Sequence, residues 1–77
     1  MIRVLLFAQM QEKVGKKELS IEGDRLTIQH VKAHLASYDM DDLLEQAMVA
    51  VNEEYADEAT VLHAGDVVAF IPPVSGG

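Results

Sequence analysis

Residues 2–8, IRVLLFA, are rich in strand-forming side chains and apolar on both alternating faces: Val4 and Leu6 fall on one, Leu5 and Phe7 on the other. A strand of that kind lies inside a sheet with cover on both sides. Residues 67–71, VVAFI, have the same character. The turn residues Gly65 and Asp66 launch them, and Pro72, which has no N–H for a ladder, stops them. Two central strands, one near each end of a 77-residue chain, leave few ways to fold. The economical one sets them side by side and parallel, which demands a long crossover between them.

The intervening sequence supplies that crossover. QMQEKVG holds helix formers and then Gly15, a C-terminal stop for one or two turns. In KELSIEG, Leu19 and Ile21 alternate with polar neighbours, which predicts a half-exposed strand ending at a turn over Gly23 and Asp24. Thr27 can cap the helix that follows, where Ile28, Val31 and Leu35 form one apolar stripe; this is the only long helix. Asp39 or Asp41 is expected to cap a short second helical piece carrying Leu43, Leu44 and Ala47 inward. MVAVNEEYA predicts a strand, a turn at residues 52–54 and a short return through Tyr55. One helix can cover only one face of so small a sheet. The predicted fold class is therefore α+β: a β-grasp, or ubiquitin-like, fold with a small mixed sheet and one long helix packed on one face. A single domain spans residues 1–77, with 72–77 as an extended tail.

Composition narrows the chemistry. Thirteen acidic against six basic residues give a formal charge of −7, which repels phosphate backbones and argues against nucleic acid as a partner. No apolar run reaches the ~18 residues of a membrane span, and the short apolar start has no small-residue cleavage site after it. A cytoplasmic protein is expected. The absence of cysteine excludes disulfides, thiol nucleophiles and cysteine zinc sites. There is neither a P-loop nor a G-x-S-x-G motif. His30 and His34 share a helix face opposite the Ile28/Val31/Leu35 stripe, with His63 elsewhere, so a solvated face accounts for them and no metal is expected. Asp41 with Asp42, and Glu53 with Glu54, are adjacent pairs whose side chains point apart, suited to caps and turns rather than to acid and base. On its own the chain is not expected to be an enzyme.

What remains is PPVSGG. Pro72 and Pro73 cannot extend a ladder, so the chain leaves the sheet there, stiff and extended. Gly76 and Gly77 have no Cβ and fit a channel too narrow for other residues, which would bring an unhindered carboxylate to a partner's reactive centre. The rigid spacer fixes the reach of the tail and lowers the ordering cost of threading it, ~1 to 2 kcal/mol per residue for a flexible segment.

The stretches IRVLLFAQMQEKVG, AVNEEYA and VAFIPPVSGG together resemble the small, sulfur-carrying subunit of molybdopterin synthase. The likeness runs over nearly the whole chain and is weakest across residues 36–47. Ubiquitin-like proteins in general share the Gly-Gly but not the aromatic-x-Pro-Pro-Val-Ser/Thr lead-in, and Ser75 keeps to that pattern. The resemblance implies a tail loaded by a ubiquitin-activating-type adenylating enzyme. That enzyme uses ATP and Mg²⁺ to form an acyl adenylate at Gly77, and a sulfur donor then displaces AMP to leave a thiocarboxylate. The loaded tail would enter the large synthase subunit and pass sulfur to cyclic pyranopterin monophosphate, two transfers building the molybdopterin dithiolene. Gly77 carries the sulfur, Gly76 clears the channel, and Pro72, Pro73, Val74 and Ser75 position the tail. The implied partners are the adenylating enzyme and the large subunit, in a heterotetramer of two small and two large chains; catalytic residues belong to the large subunit, and no cofactor is bound by this chain.

Arg3 shares parity with Leu5 and Phe7, which marks that face of the first strand as the one away from the helix. Phe7, with Tyr55 and Ile71 on neighbouring strands, is expected to form an exposed apolar patch for the large subunit. The alternative is that residues 36–48 fold over this face. Two related functions share the tail: a thiamine-pathway sulfur carrier, whose strand and glycines are usually joined by a longer polar stretch, and a ubiquitin-like modifier joined to lysines. A plain interaction domain with an inert tail is a third.

Overall fold

In the computed structural model, which describes residues 1–72, the two apolar end strands lie side by side and parallel at the centre of a sheet. β1 (Ile2–Leu6) leads through an extended Phe7 into α1 (Ala8–Val14), which Gly15 closes in the left-handed conformation with its N–H on the Gln11 carbonyl. β2 (Glu18–Ile21) returns antiparallel to β1. Then come β3 (Leu26–Thr27), α2 (Ile28–Leu35), a 3-10 turn (Ala36–Tyr38), α3 (Asp41–Gln46), β4 (Met48–Val51), β5 (Glu54–Tyr55), β6 (Val61–Leu62) and β7 (Val67–Ile71). The main sheet runs β2-β1-β7-β4-β5, antiparallel at every pairing except β1 with β7, and β3 pairs with β6 in a separate two-stranded ladder. This is the β-grasp order, an α+β architecture, with everything between β1 and β7 forming the crossover.

The core fills the space between one sheet face and the helices. Val4 and Leu6 of β1, Val68 and Phe70 of β7 and Val49 of β4 point into it, opposite Ile28, Val31 and Leu35 of α2. Met10 of α1 and Leu44 of α3 complete the cluster. α2 starts where expected: the Thr27 hydroxyl accepts the His30 N–H at 3.3 Å, and the Thr27 N–H donates to His30 Nδ1 at 3.1 Å. The imidazole thus fills the place that Glu or Gln takes in a capping box.

Several expectations need correction. The "one long helix" has eight residues against seven in α1, so the layer over the sheet is assembled from three short helices rather than one dominant one. Neither Asp39 nor Asp41 caps α3. Met40 occupies that position without a side-chain bond, because its thioether is buried in the core, while Asp41 and Asp42 sit in the first turn, where their charge suits the helix N-terminus. Asp39 instead takes a left-handed conformation that ends the 3-10 turn. The β3–β6 ladder has only two residue pairs, too few to leave a period in the sequence.

Candidate functional site

β1 was expected to be covered on both faces, but this chain's own helices cover only one. The other face is open. Arg3 and Leu5 of β1 point to it, and the parallel register sets Leu5 opposite Ala69 and Leu6 opposite Phe70. Phe7 continues in extended conformation, so it rises on the open face at the level of Ile71. On the other side of β7, Met48 pairs with Ile71 and Ala50 with Ala69, and Tyr55 of β5 pairs with Ala50. Leu5, Ala50, Tyr55, Val67, Ala69 and Ile71 line a shallow apolar groove along this face, closed at one end by Asn52 and Glu53. Tyr55 is 73% exposed, Met48 47% and Phe7 44%, values that core side chains of these types do not show.

Polar groups flank the open face on both sides of the central strands. At the β1–β2 side, Arg3 grips Glu18 with two bonds, Nε to Oε2 at 2.7 Å and Nη2 to Oε1 at 2.8 Å. That bonding, with the attraction between the charges, holds the Glu18 carboxyl below the usual carboxylate range and raises the Arg3 guanidinium above its ordinary value. At the β4–β5 hairpin, Asn52 and Glu53 both have positive φ, 50° and 72°, the signature of a type I′ turn. The Asn52 amide donates to Asp66 Oδ1 at 3.1 Å, its carbonyl oxygen accepts the Val67 N–H at 3.0 Å, and the Asn52 N–H donates to the Val67 carbonyl at 2.8 Å. The hairpin is thereby tied to the start of β7. The His63 N–H on Asp66 Oδ2 at 2.8 Å, then the Asn52 amide, lower the Asp66 carboxyl from its ordinary value.

Phe7, Tyr55 and Ile71 all fall on one face of the sheet, with Tyr55 on the edge strand, so that β7 and β4 lie between it and β1. Met48, Ala50, Val67 and Ala69 also belong to the face and were missed. Alternation along VVAFI places Val67 and Ala69 with Ile71 and could have found two of them. Residues 36–48 do not fold over this face: Leu35, Met40 and Leu44 anchor that segment in the core on the opposite side of the sheet. His30 and His34 are exposed, and His63 lies 3.8 Å from Asp24 in a separate loop. Pro72, half-buried, marks the root of the tail; Pro73, Val74, Ser75, Gly76 and Gly77 lie outside the described residues.

The ThiS family matches residues 4–77. The chain belongs to the ThiS family. Curated relatives of this ThiS-family chain include the molybdopterin synthase sulfur carrier subunits of Chlamydomonas reinhardtii, 38% identical with 99% of this chain and 98% of the relative covered, and of Escherichia coli, 36% identical with both chains covered in full. Among solved structures, the small archaeal modifier protein 1 of Methanosarcina acetivorans superposes with a TM-score of 0.83 at 23% identity, covering 99% of this chain and 95% of that one. The same modifier from Haloferax volcanii gives 0.74 at 27%, covering 95% and 97%. A complex of subunits 1 and 2 of the molybdopterin-converting factor from Helicobacter pylori gives 0.73 at 24%, covering 99% and 97%. The fold common to this ThiS-family chain and these structures is ubiquitin-like.

Proposed function

We propose that this protein is the sulfur carrier subunit of molybdopterin synthase, and that its open sheet face docks on the large subunit while its tail delivers the sulfur. The observation that carries the reading is end-to-end likeness to two molybdopterin synthase sulfur carrier subunits, at 38% and 36% identity. The open apolar face supports it, because β7 runs along that face and ends at Pro72, so a partner seated on the groove also lies beside the tail root. That the Helicobacter pylori structure is a complex of subunits 1 and 2 of molybdopterin-converting factor supports the large subunit as such a partner.

A carboxylate with a pKa of roughly 3.5 is an anion at neutral pH and a poor electrophile. Loading therefore starts with attack of a Gly77 carboxylate oxygen on the α-phosphorus of ATP in an adenylating enzyme, with Mg²⁺ there and pyrophosphate leaving. A sulfur nucleophile then attacks the acyl carbon and AMP leaves, so one difficult substitution becomes two easier ones. This chain supplies no catalytic side chain to either step. Its part is to hold, present and release the acyl group: Gly76 keeps the approach narrow, and residues 72–75 set the reach. Two large and two small subunits form the working assembly, in the cytoplasm; among the described residues no helix is long and apolar enough to cross a membrane.

Intact mass after incubation with ATP, an activating enzyme and a sulfur source tests this directly. Exchange of one terminal oxygen for sulfur is expected, and deletion of Gly77 should abolish it. An unchanged mass with several competent activating enzymes overturns the reading. The likeness to the Haloferax volcanii modifier favours a second reading, conjugation to lysines. Slow-migrating adducts that depend on Gly77 would support it, and a carrier gives none.

A further inference from the structure

We infer that Met48 is an oxidation-sensitive contact of the docking face: conversion of its thioether to the sulfoxide by hydrogen peroxide weakens binding to the large subunit, and enzymatic reduction restores it. The inference rests on the docking role proposed above for the open sheet face. Of the four methionines, Met10 and Met40 are sealed in the core at 1% and 2% exposure, while Met1 and Met48 are open to solvent. These two occupy opposite ends of the sheet. The Met1 carbonyl accepts the Gly65 N–H at 2.8 Å, in the turn that precedes β7, whereas Met48 pairs with Ile71, the last strand residue before the tail. Met48 also shares a second shallow groove with Tyr55 at the sheet edge, so its side chain links the apolar face to that edge.

The chemistry at that position is simple and balanced. A sulfur lone pair attacks one peroxide oxygen, the S–O bond forms as the O–O bond breaks, and the departing hydroxide takes up the remaining proton to leave as water. Sulfur is oxidised by two electrons and the peroxide reduced by two. The product is polar and chiral where a flexible apolar side chain stood. A partner closing over it would bury a strong acceptor beside Ile71 and Ala69, which have no side-chain donor, with only the hydroxyl of the 73%-exposed Tyr55 on the same face and the Lys32 ammonium already bound to Glu58. Folding should hardly register the change, because this side chain is not part of the core.

The test uses the full chain and the large molybdopterin synthase subunit of the same organism. Peptide mapping after limited peroxide treatment should place oxygen on Met1 and Met48 and spare Met10 and Met40. Calorimetric titration should then show the treated protein binding about tenfold more weakly or worse, as expected for a polar group placed in an apolar contact. Methionine sulfoxide reductases should restore the original affinity. Met48→Leu, a volume-conserving change, removes the thioether, and whatever affinity it starts from should be the same before and after the treatment despite oxidation at Met1. Equal affinity of treated and untreated protein overturns the inference, as does an equal loss in Met48→Leu. If the untreated protein does not bind the large subunit at all, the docking role itself falls and this inference with it, a result recognisable before any peroxide is added.

Discussion

The two faces of the central strands are built from the same residue classes and serve opposite ends. On the helix side, Val4, Leu6, Val68 and Phe70 are buried; on the other, Leu5, Ala69, Ile71 and Tyr55 line an open groove. Apolar side chains at alternate positions therefore cannot be assigned a role by hydrophobicity alone. What separates them is what lies opposite: three short helices on one side and solvent on the other. The closed face stabilises the fold, and the open face is the surface we propose for the large subunit.

The strongest way to break this contrast is to cut each face in turn. Phe70→Ala should cost about 3–5 kcal/mol by leaving a cavity, most of a stability expected near 4–11 kcal/mol for a domain of this size. Urea titration would then show a largely unfolded chain. Phe7→Arg should leave the urea midpoint within about 0.5 kcal/mol yet weaken association with the large subunit by at least ~2 kcal/mol. Unchanged association would remove Phe7 from the docking face. If both variants merely unfold, the distinction between the faces is wrong.

Smaller effects sharpen the picture by acting at a helix cap and at the hairpin turn that closes the groove. His30→Ala removes the side-chain half of the α2 capping box and should lower stability by about 1 kcal/mol, while His30→Gln keeps an acceptor there and should recover most of it. Glu53 holds a positive φ of 72°, so Glu53→Gly should raise the thermal midpoint, by a gain of about 0.5–1 kcal/mol. The smallest effect concerns acid. Because the folded Asp66 carboxyl titrates below its unfolded value, its contribution is present above the unfolded pKa and fades as pH falls through the folded one. Carbon-detected NMR titration should place Asp66 below ordinary aspartates, and Asn52→Ala should move it back up.

The parts of this molecule written as local chemistry were legible from the sequence. β7 runs over the predicted residues, Gly15 and Thr27 bound their helices, and Asn52 turns the β4–β5 hairpin. The parallel pairing followed from two doubly apolar strands. Features fixed by tertiary packing were not legible. Met40 stands at the N-cap position of α3 with its side chain buried in the core and no side-chain hydrogen bond, a placement set by packing rather than by capping chemistry. Ala8 adopts a positive φ of 52° at the β1–α1 junction, and nothing in an alanine announces that. The open face was only half legible: its aromatic and large aliphatic members stood out, whereas Ala50 and Ala69, which line the groove, are too small to attract notice.

The central placement of β7 has a consequence for synthesis on the ribosome. β1 emerges first but lacks its parallel neighbour until Ile71 has cleared the exit tunnel, so closure of the sheet waits for nearly all of the polypeptide. A prematurely terminated product short of this strand has an open seam through its middle and is prey for proteases. The topology thus ties the native shape to the far end of the polypeptide: a molecule with a closed central sheet already contains β7 and the root of the tail.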